Sequence, residues 1–130
     1  MKQSIANITL VVRHYDEAIA FYIGALGFTL LDDIELGDGK RWVRVAPRGA
    51  AGTALLLAEA ADEDQRAHVG NQTGGRVGFL LHTDDFRRDH AAMLARGVTF
   101  IEQPRHEVYG TVAVFEDLYG NRWDLLEPRP

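Results

Sequence analysis

The chain repeats itself, and that limits what it can fold into. Gly27-Phe28-Thr29-Leu30-Leu31 returns as Gly97-Val98-Thr99-Phe100-Ile101, and Leu57-Ala58-Glu59 returns as Leu125-Leu126-Glu127, a period of about 70 residues. In a chain of 130 residues this means two copies of one supersecondary unit. Half of such a chain buries too little surface to be robust alone, so the two copies are expected to share one domain.

The periodicity of the first copy reads as strand, helix and three strands. Ile8, Leu10 and Val12 alternate with Asn7, Thr9 and Val11, the signature of a strand with one apolar face. Asp16 is expected to cap a helix whose buried stripe is Ala18, Ile19, Tyr22, Ile23 and Leu26, with Gly27 ending it. Phe28 to Leu36 reads as a strand, Gly37-Asp38-Gly39 as a hairpin turn, and Arg41 to Ala46 and Thr53 to Ala58 as further strands. Ala60 to Gly75 is polar and reads as a connection with one helical turn. The pattern then restarts. Arg76 to Thr83 is a strand, and Asp84 or Asp85 caps a helix with the stripe Phe86, His90, Met93 and Leu94, ended by Gly97. Val98 to Ile101, Tyr109 to Phe115 and Arg122 to Leu126 are strands, with Gln103 to Glu107 a loop. The fold class is α+β: two tandem βαβββ modules, forming a curved mixed sheet with a concave cup and helices on the outer face. Residues 1–130 form a single domain, with modules at 4–60 and 75–128 and a connection at 61–74.

Composition removes several functions. With no cysteine there is no disulfide, thiolate metal site or cysteine nucleophile. A net charge of -5 without a basic run does not suit nucleic acid, whose phosphates need clustered Lys and Arg. No apolar stretch reaches the roughly 20 residues of a membrane helix. The first residues do not read as a secretory signal. The expected setting is cytoplasmic, with neither nucleic acid nor membrane as partner.

Three segments carry a resemblance to a known family. They are Ile8 to Phe28, with Phe21-Tyr22 and Leu26-Gly27-Phe28; Asp84-Asp85 through Gly97-Val98; and Tyr109-Gly110 through Glu127, with Phe115, Asp117 and Gly120-Asn121. In these the sequence resembles the vicinal-oxygen-chelate superfamily of glyoxalases, bleomycin resistance proteins and extradiol dioxygenases. The resemblance implies paired βαβββ modules, a homodimer, and a cup shared between subunits. It also implies four metal-ligand positions in the metal-dependent members, which fall here on Asn7, Leu56, Gly78 and Asp124. Only Asp124 is a good hard-metal ligand. Asn7 is a weak donor, and Leu56 and Gly78 offer no ligating side chain. No metal and no cofactor are therefore expected. His82 lies four residues beyond Gly78, roughly 13 Å along a strand, too far to replace a ligand there.

Strand alternation is expected to turn Asn7, Thr9, Val11, Trp42, Arg44, Leu56, Leu80, His82, Thr111, Ala113, Phe115, Asp124 and Leu126 into the cup. Such an apolar wall with a few polar groups suits a small molecule. Arg44 would grip an anionic group, unless it pairs with Asp124 or a neighbouring acid, and Trp42 and Phe115 would stack on a planar one. Tyr109 would close from a loop. His82 and Asp124 are the candidate catalytic groups. His90, on the helix stripe, reads as a packed residue. The first functional expectation is a glyoxalase- or bleomycin-resistance-like protein that binds a small, partly apolar and anionic molecule without the usual divalent metal. A glyoxalase-type lyase or isomerase, or a dioxygenase with a rearranged metal site, is the second. A structural or regulatory dimer with a filled cup is the third.

Overall fold

A computed structural model of the chain describes residues 1–49 and 51–130. These fall into two compact units, Met1–Val69 and Gly70–Pro130, each with its own mixed sheet. The first contains β1 (Asn7–Val12), α1 (Tyr15–Ile19) continued by a π-helical segment (Ala20–Ala25), β2 (Thr29–Gly37), β3 (Lys40–Ala46), β4 (Ala54–Glu59) and α2 (Glu63–Ala67). Its strand order is β1-β4-β3-β2. The second contains β5 (Val77–His82), α3 (Phe86–Ala95), β6 (Thr99–Phe100), β7 (Arg105–Glu107), β8 (Gly110–Glu116) and β9 (Arg122–Pro128). Its order is β5-β9-β8-β6, with β7 also paired to β8. In both units the first strand runs parallel to the last, and the other pairs are antiparallel. The repeat read from the sequence is thus a repeat of topology.

Alternation placed the core of the first unit correctly. Leu10, Val12, Val43, Val45, Leu55 and Leu57 are buried together with Tyr15, Ala18, Tyr22 and Leu26 of the helix. Tyr22 meets Phe21 edge-on at 5.3 Å and Phe28 at 5.7 Å. The hairpin turns at Asp38 and Gly39, both with positive φ (55° and 77°), as a tight turn between twisted strands requires. In the second unit an aromatic file forms the core. Phe86 stacks on His90, His90 meets Phe100, Phe100 meets Phe115, and Phe115 and Phe79 stack on Trp123. His90 is therefore packed, as its position on the helix stripe implied.

Three local expectations change. The cap of the first helix lies two residues before Asp16: His14 is its N-cap and makes no side-chain capping bond. Leu94 is 48% exposed, because the ten-residue α3 buries only Phe86 and Met93 completely. Residues 105–107 form a strand, not a loop; they pair with the part of β8 that β6 does not reach. Pro104, which lacks an N–H, stands just before that strand and outside its ladder. Helix α2, in the connection, spans five residues, with Asp62 accepting from the Gln65 amide at 2.9 Å. Among the described residues, no helix is long and apolar enough to cross a membrane.

One contact recurs in both units. The carboxylate that closes the last strand accepts from the first amide of the unit's helix: Glu59 from Tyr15 at 3.2 Å, and Glu127 from Phe86 at 2.7 Å. Each satisfies an amide that the helix leaves open and puts negative charge at the positive end of its dipole. Loss of either group by Glu59→Ala or Glu127→Ala is expected to cost about 1 kcal/mol. The double variant should cost close to the sum. Urea unfolding of the three variants checks this; a change within error for Glu127→Ala would remove the contact from the fold's supports.

Candidate functional site

Each sheet has a second face, turned away from its helix. In the first unit, strand register places Thr9, Leu56, Arg44 and Asp32 in one row across all four strands. Ile34 and Trp42 pair in the next row out, and Asn7 pairs with Ala54 on the other side. Three polar side chains here are joined through Arg44. Its Nε donates to Asp32 Oδ2 at 2.5 Å, and its Nη1 to Asn7 Oδ1 at 3.5 Å. Trp42 Nε1 donates to the same Asp32 oxygen at 3.3 Å, which fixes the indole plane while the ring stays 36% exposed. The Arg44 and Asp32 side chains are 29% and 30% exposed. Arg44 holds Asp32 below the ordinary carboxylate value, burial opposes this, and the Trp42 bond adds to it. Asp32 is therefore ionised at neutral pH, and the Arg44 charge is already matched.

Sequence reasoning missed Asp32. The expected partners of Arg44 were a bound anion, Asp124 or a neighbouring acid; the partner is a neighbouring acid, Asp32 on the adjacent strand, and not Asp124. A bulge in β2 between Glu35 and Gly37 sets this register. The hairpin turn alone gives no signal for it, because counting back from Gly37 and Lys40 without the bulge sets Asp33 opposite Arg44.

In the second unit one row is Leu80, Asp124 and Val114, and the next is His82, Leu126, Val112 and Arg105. Leu80 and His82 are exposed, Leu80 at 60%. Asp124 is half-buried, and its Oδ1 is fully buried with no hydrogen-bond partner among the described residues. Burial pushes its carboxyl above the ordinary value, Arg105 pulls it back, and Glu102 pushes it up again. Arg105 is committed elsewhere: Nε to Glu102 at 3.0 Å, Nη1 to Glu107 at 3.2 Å, and a further bond to Tyr109. Tyr109 sits at the tip of the β7–β8 hairpin, 47% exposed. His82 borders a shallow, solvent-open depression of about 540 Å³ with Thr83, Asp84, Glu127, Pro128 and Pro130. Asp124 does not line it, so the two candidate catalytic groups do not meet there.

Phe115 is a correction. Its register partner is Trp123, and the two rings stack at 5.8 Å. It is 0% exposed and belongs to the core on the α3 side, with Ala113 and Thr111 on the same side of β8. The residues of β8 that share a face with Asp124 are Val112 and Val114. The expected face of β8 was off by one residue, and in a strand such a slip exchanges the two faces.

The four positions implied for a divalent ion do not suit one. Asn7 Oδ1 is engaged by Arg44, and Leu56 has no donor. Gly78 stands at a bulge, and a Cβ there would lie 2.7 Å from Thr73 Cγ2. Thr73 thus fills the direction that a ligand side chain would take. Among the described residues, no three His, Asp or Glu side chains gather as a metal-binding group. No chemical step is therefore derived through a metal.

Residues 4–125 match the Glyoxalase/Bleomycin resistance protein/Dioxygenase superfamily, and the chain belongs to it. It is 54% identical over 128 residues to an uncharacterized protein of Shewanella frigidimarina (strain NCIMB 400), covering 98% of this chain and 95% of that one. The solved structure of UcmS2 is similar with a TM-score of 0.84 at 31% identity, covering 98% of this chain and 99% of that one. TnmS3, an antibiotic binding protein from Streptomyces sp. CB03234, is similar with a TM-score of 0.78 at 32% identity, covering 98% of each chain.

Two outcomes are expected from the packing around these positions. Gly78→Ala should destabilise the protein because of Thr73, and Thr73→Ser, which removes Cγ2 but keeps the hydroxyl bonded to the Arg76 carbonyl at 2.6 Å, should rescue it. Urea midpoints of the two single variants and the double test this; equal losses with and without Thr73→Ser would refute the contact. For Asp124 the sign follows from its raised value. The folded state keeps a proton that the unfolded chain has released, so ionised Asp124 opposes folding once the pH exceeds the ordinary value of 3.8. Asp124→Asn should raise the melting temperature at pH 7, and the gain should vanish by pH 3. A gain independent of pH would contradict this account.

Proposed function

We propose that this protein binds a small, partly apolar molecule on the sheet face that carries Trp42, Arg44, Asn7 and Leu56, and that it does so without turnover and without a divalent ion. The observation that carries the reading is Trp42. A large aromatic ring is half exposed on a sheet face, with its plane fixed by a hydrogen bond and Leu56 in the row beside it. An aromatic ring held in place binds a planar partner at little cost in conformational freedom. Likeness to an antibiotic binding protein across the whole chain supports binding over catalysis. Two further facts favour the metal-free form: Leu56 offers no donor, and Thr73 stands where a ligand at position 78 would reach. His82 and Asp124, which do not share a depression, have no assigned role in this reading.

The test is fluorescence titration of protein purified without chelator, using bleomycin and the apolar dye N-phenylnaphthylamine as probes. The chain has two tryptophans, and Trp123 is only 4% exposed, so ligand quenching reports on Trp42. Saturable binding of at least one probe in the micromolar range, roughly -8 kcal/mol, is expected. It should persist in EDTA, and Trp42→Phe should lose the quench. Absence of saturable binding, or its loss in EDTA, would overturn the proposal.

A further inference from the structure

The charge on this face is set by Asp32. Arg44 is the cation of the four-residue row across the first sheet, and its Nε hydrogen is taken by Asp32. Asp32 Oδ2 also receives the indole N–H of Trp42. One carboxylate thus holds the aromatic ring and neutralises the guanidinium beside it. Its neighbour Asp33 turns to Arg41 at 2.8 Å, and Arg41 also bonds Asp16 at 2.8 Å, so neither of these competes for Arg44. Asn7 contributes only a long, neutral contact on Nη1.

We propose that Asp32 is the specificity-determining residue of this face: by neutralising Arg44 next to Trp42, it selects an uncharged planar ligand and rejects an anionic one. This rests on the binding reading above and names its ligand class. A free Arg44 beside an indole would favour an aromatic anion, because the ring would stack while the guanidinium formed a charge-assisted bond. With Asp32 in place, an anion must either displace the carboxylate or bind beside it, and both are unfavourable. An uncharged ring system pays neither cost.

The experiment uses two dyes of similar ring structure that differ in one charged group: N-phenylnaphthylamine, which is neutral, and anilinonaphthalene sulfonate, which is anionic. The readout is the ratio of their affinities, so general damage to the face cancels. Wild type should favour the neutral dye. Asp32→Asn keeps the size and an acceptor oxygen but frees the Arg44 charge, and should shift the ratio about tenfold toward the anion. That shift should shrink in high salt. Arg44→Gln leaves Asp32 uncompensated and should shift the ratio the other way, which gives an independent test if Asp32→Asn folds poorly. Asp32→Asn/Arg44→Gln should return near the wild-type ratio. If both dyes bind wild type but neither single variant moves the ratio more than about twofold, within ordinary scatter, Asp32 does not set the ligand class. If neither dye binds wild type, the binding reading itself fails and takes this assignment with it.

Discussion

Parallel pairing of the first strand of each module with its last constrains everything else in this chain. Parallel neighbours cannot be joined by a hairpin, so the chain must leave the sheet and return. The helix is built in that excursion, together with the antiparallel strands. Parallel strands also end at the same end. Val12, at the end of β1, pairs with Glu59, at the end of β4, and the helix that follows β1 therefore starts beside that carboxylate. Glu127 repeats the arrangement for α3. The repeated Leu-x-Glu in the sequence is thus the trace of a topological need, and not of a shared active site.

Much of this was legible because it rests on period. Alternation in β1, β3 and β4 identified the buried face, and both glycines that end the helices adopt positive φ, 74° at Gly27 and 88° at Gly97. What failed was register. Phe115 was read one residue out of phase because β8 is apolar on both faces: Val112, Ala113, Val114 and Phe115 are all buried, and alternation carries no signal there. Pairing with Trp123 decides the matter, and pairing is not written in the strand itself. The partnership of Asp32 with Arg44 was hidden for a related reason. Counting back from Gly37 and Lys40 without a bulge sets Asp33 opposite Arg44; the bulge between Glu35 and Gly37 moves Asp32 there and sets Asp33 opposite Val43. One extra residue in a strand decides which acid neutralises the face.

The two modules share a topology and have treated charge differently. In the first, the face away from the helix carries a matched pair, with Asp32 ionised and Arg44 engaged. In the second, Arg105 is divided between Glu102 and Glu107, and Asp124 keeps a buried oxygen that meets no hydrogen-bond partner among the described residues. The equivalent positions are Leu56 and Asp124, one apolar and one acidic. A buried carboxylate oxygen without a donor opposes folding. Such a cost concentrates in a protein where function requires it or where an ancestral group persists. Leu56 carries no such cost, and the first face is internally balanced.

That difference bears on how a scaffold of this kind changes function. A metal site needs several donors at once, and the loss of any one leaves the others costly. Leu at position 56 and Gly at position 78 remove two donors, and Thr73 has filled the space beside the second. Where no cation is held, a carboxylate on such a face has two physical options. It can pair with a protein cation, as Asp32 does with Arg44, or it can remain partly neutralised at a distance, as Asp124 does with Arg105. The first option produces a face of low net charge around a fixed indole, which favours apolar contact over electrostatic capture. A face organised in this way discriminates by shape and by the penalty on wrong charge more than by attraction. On the proposed binding reading, the register of β2, which places Asp32 opposite Arg44, is as much a determinant as any side chain that a ligand would touch.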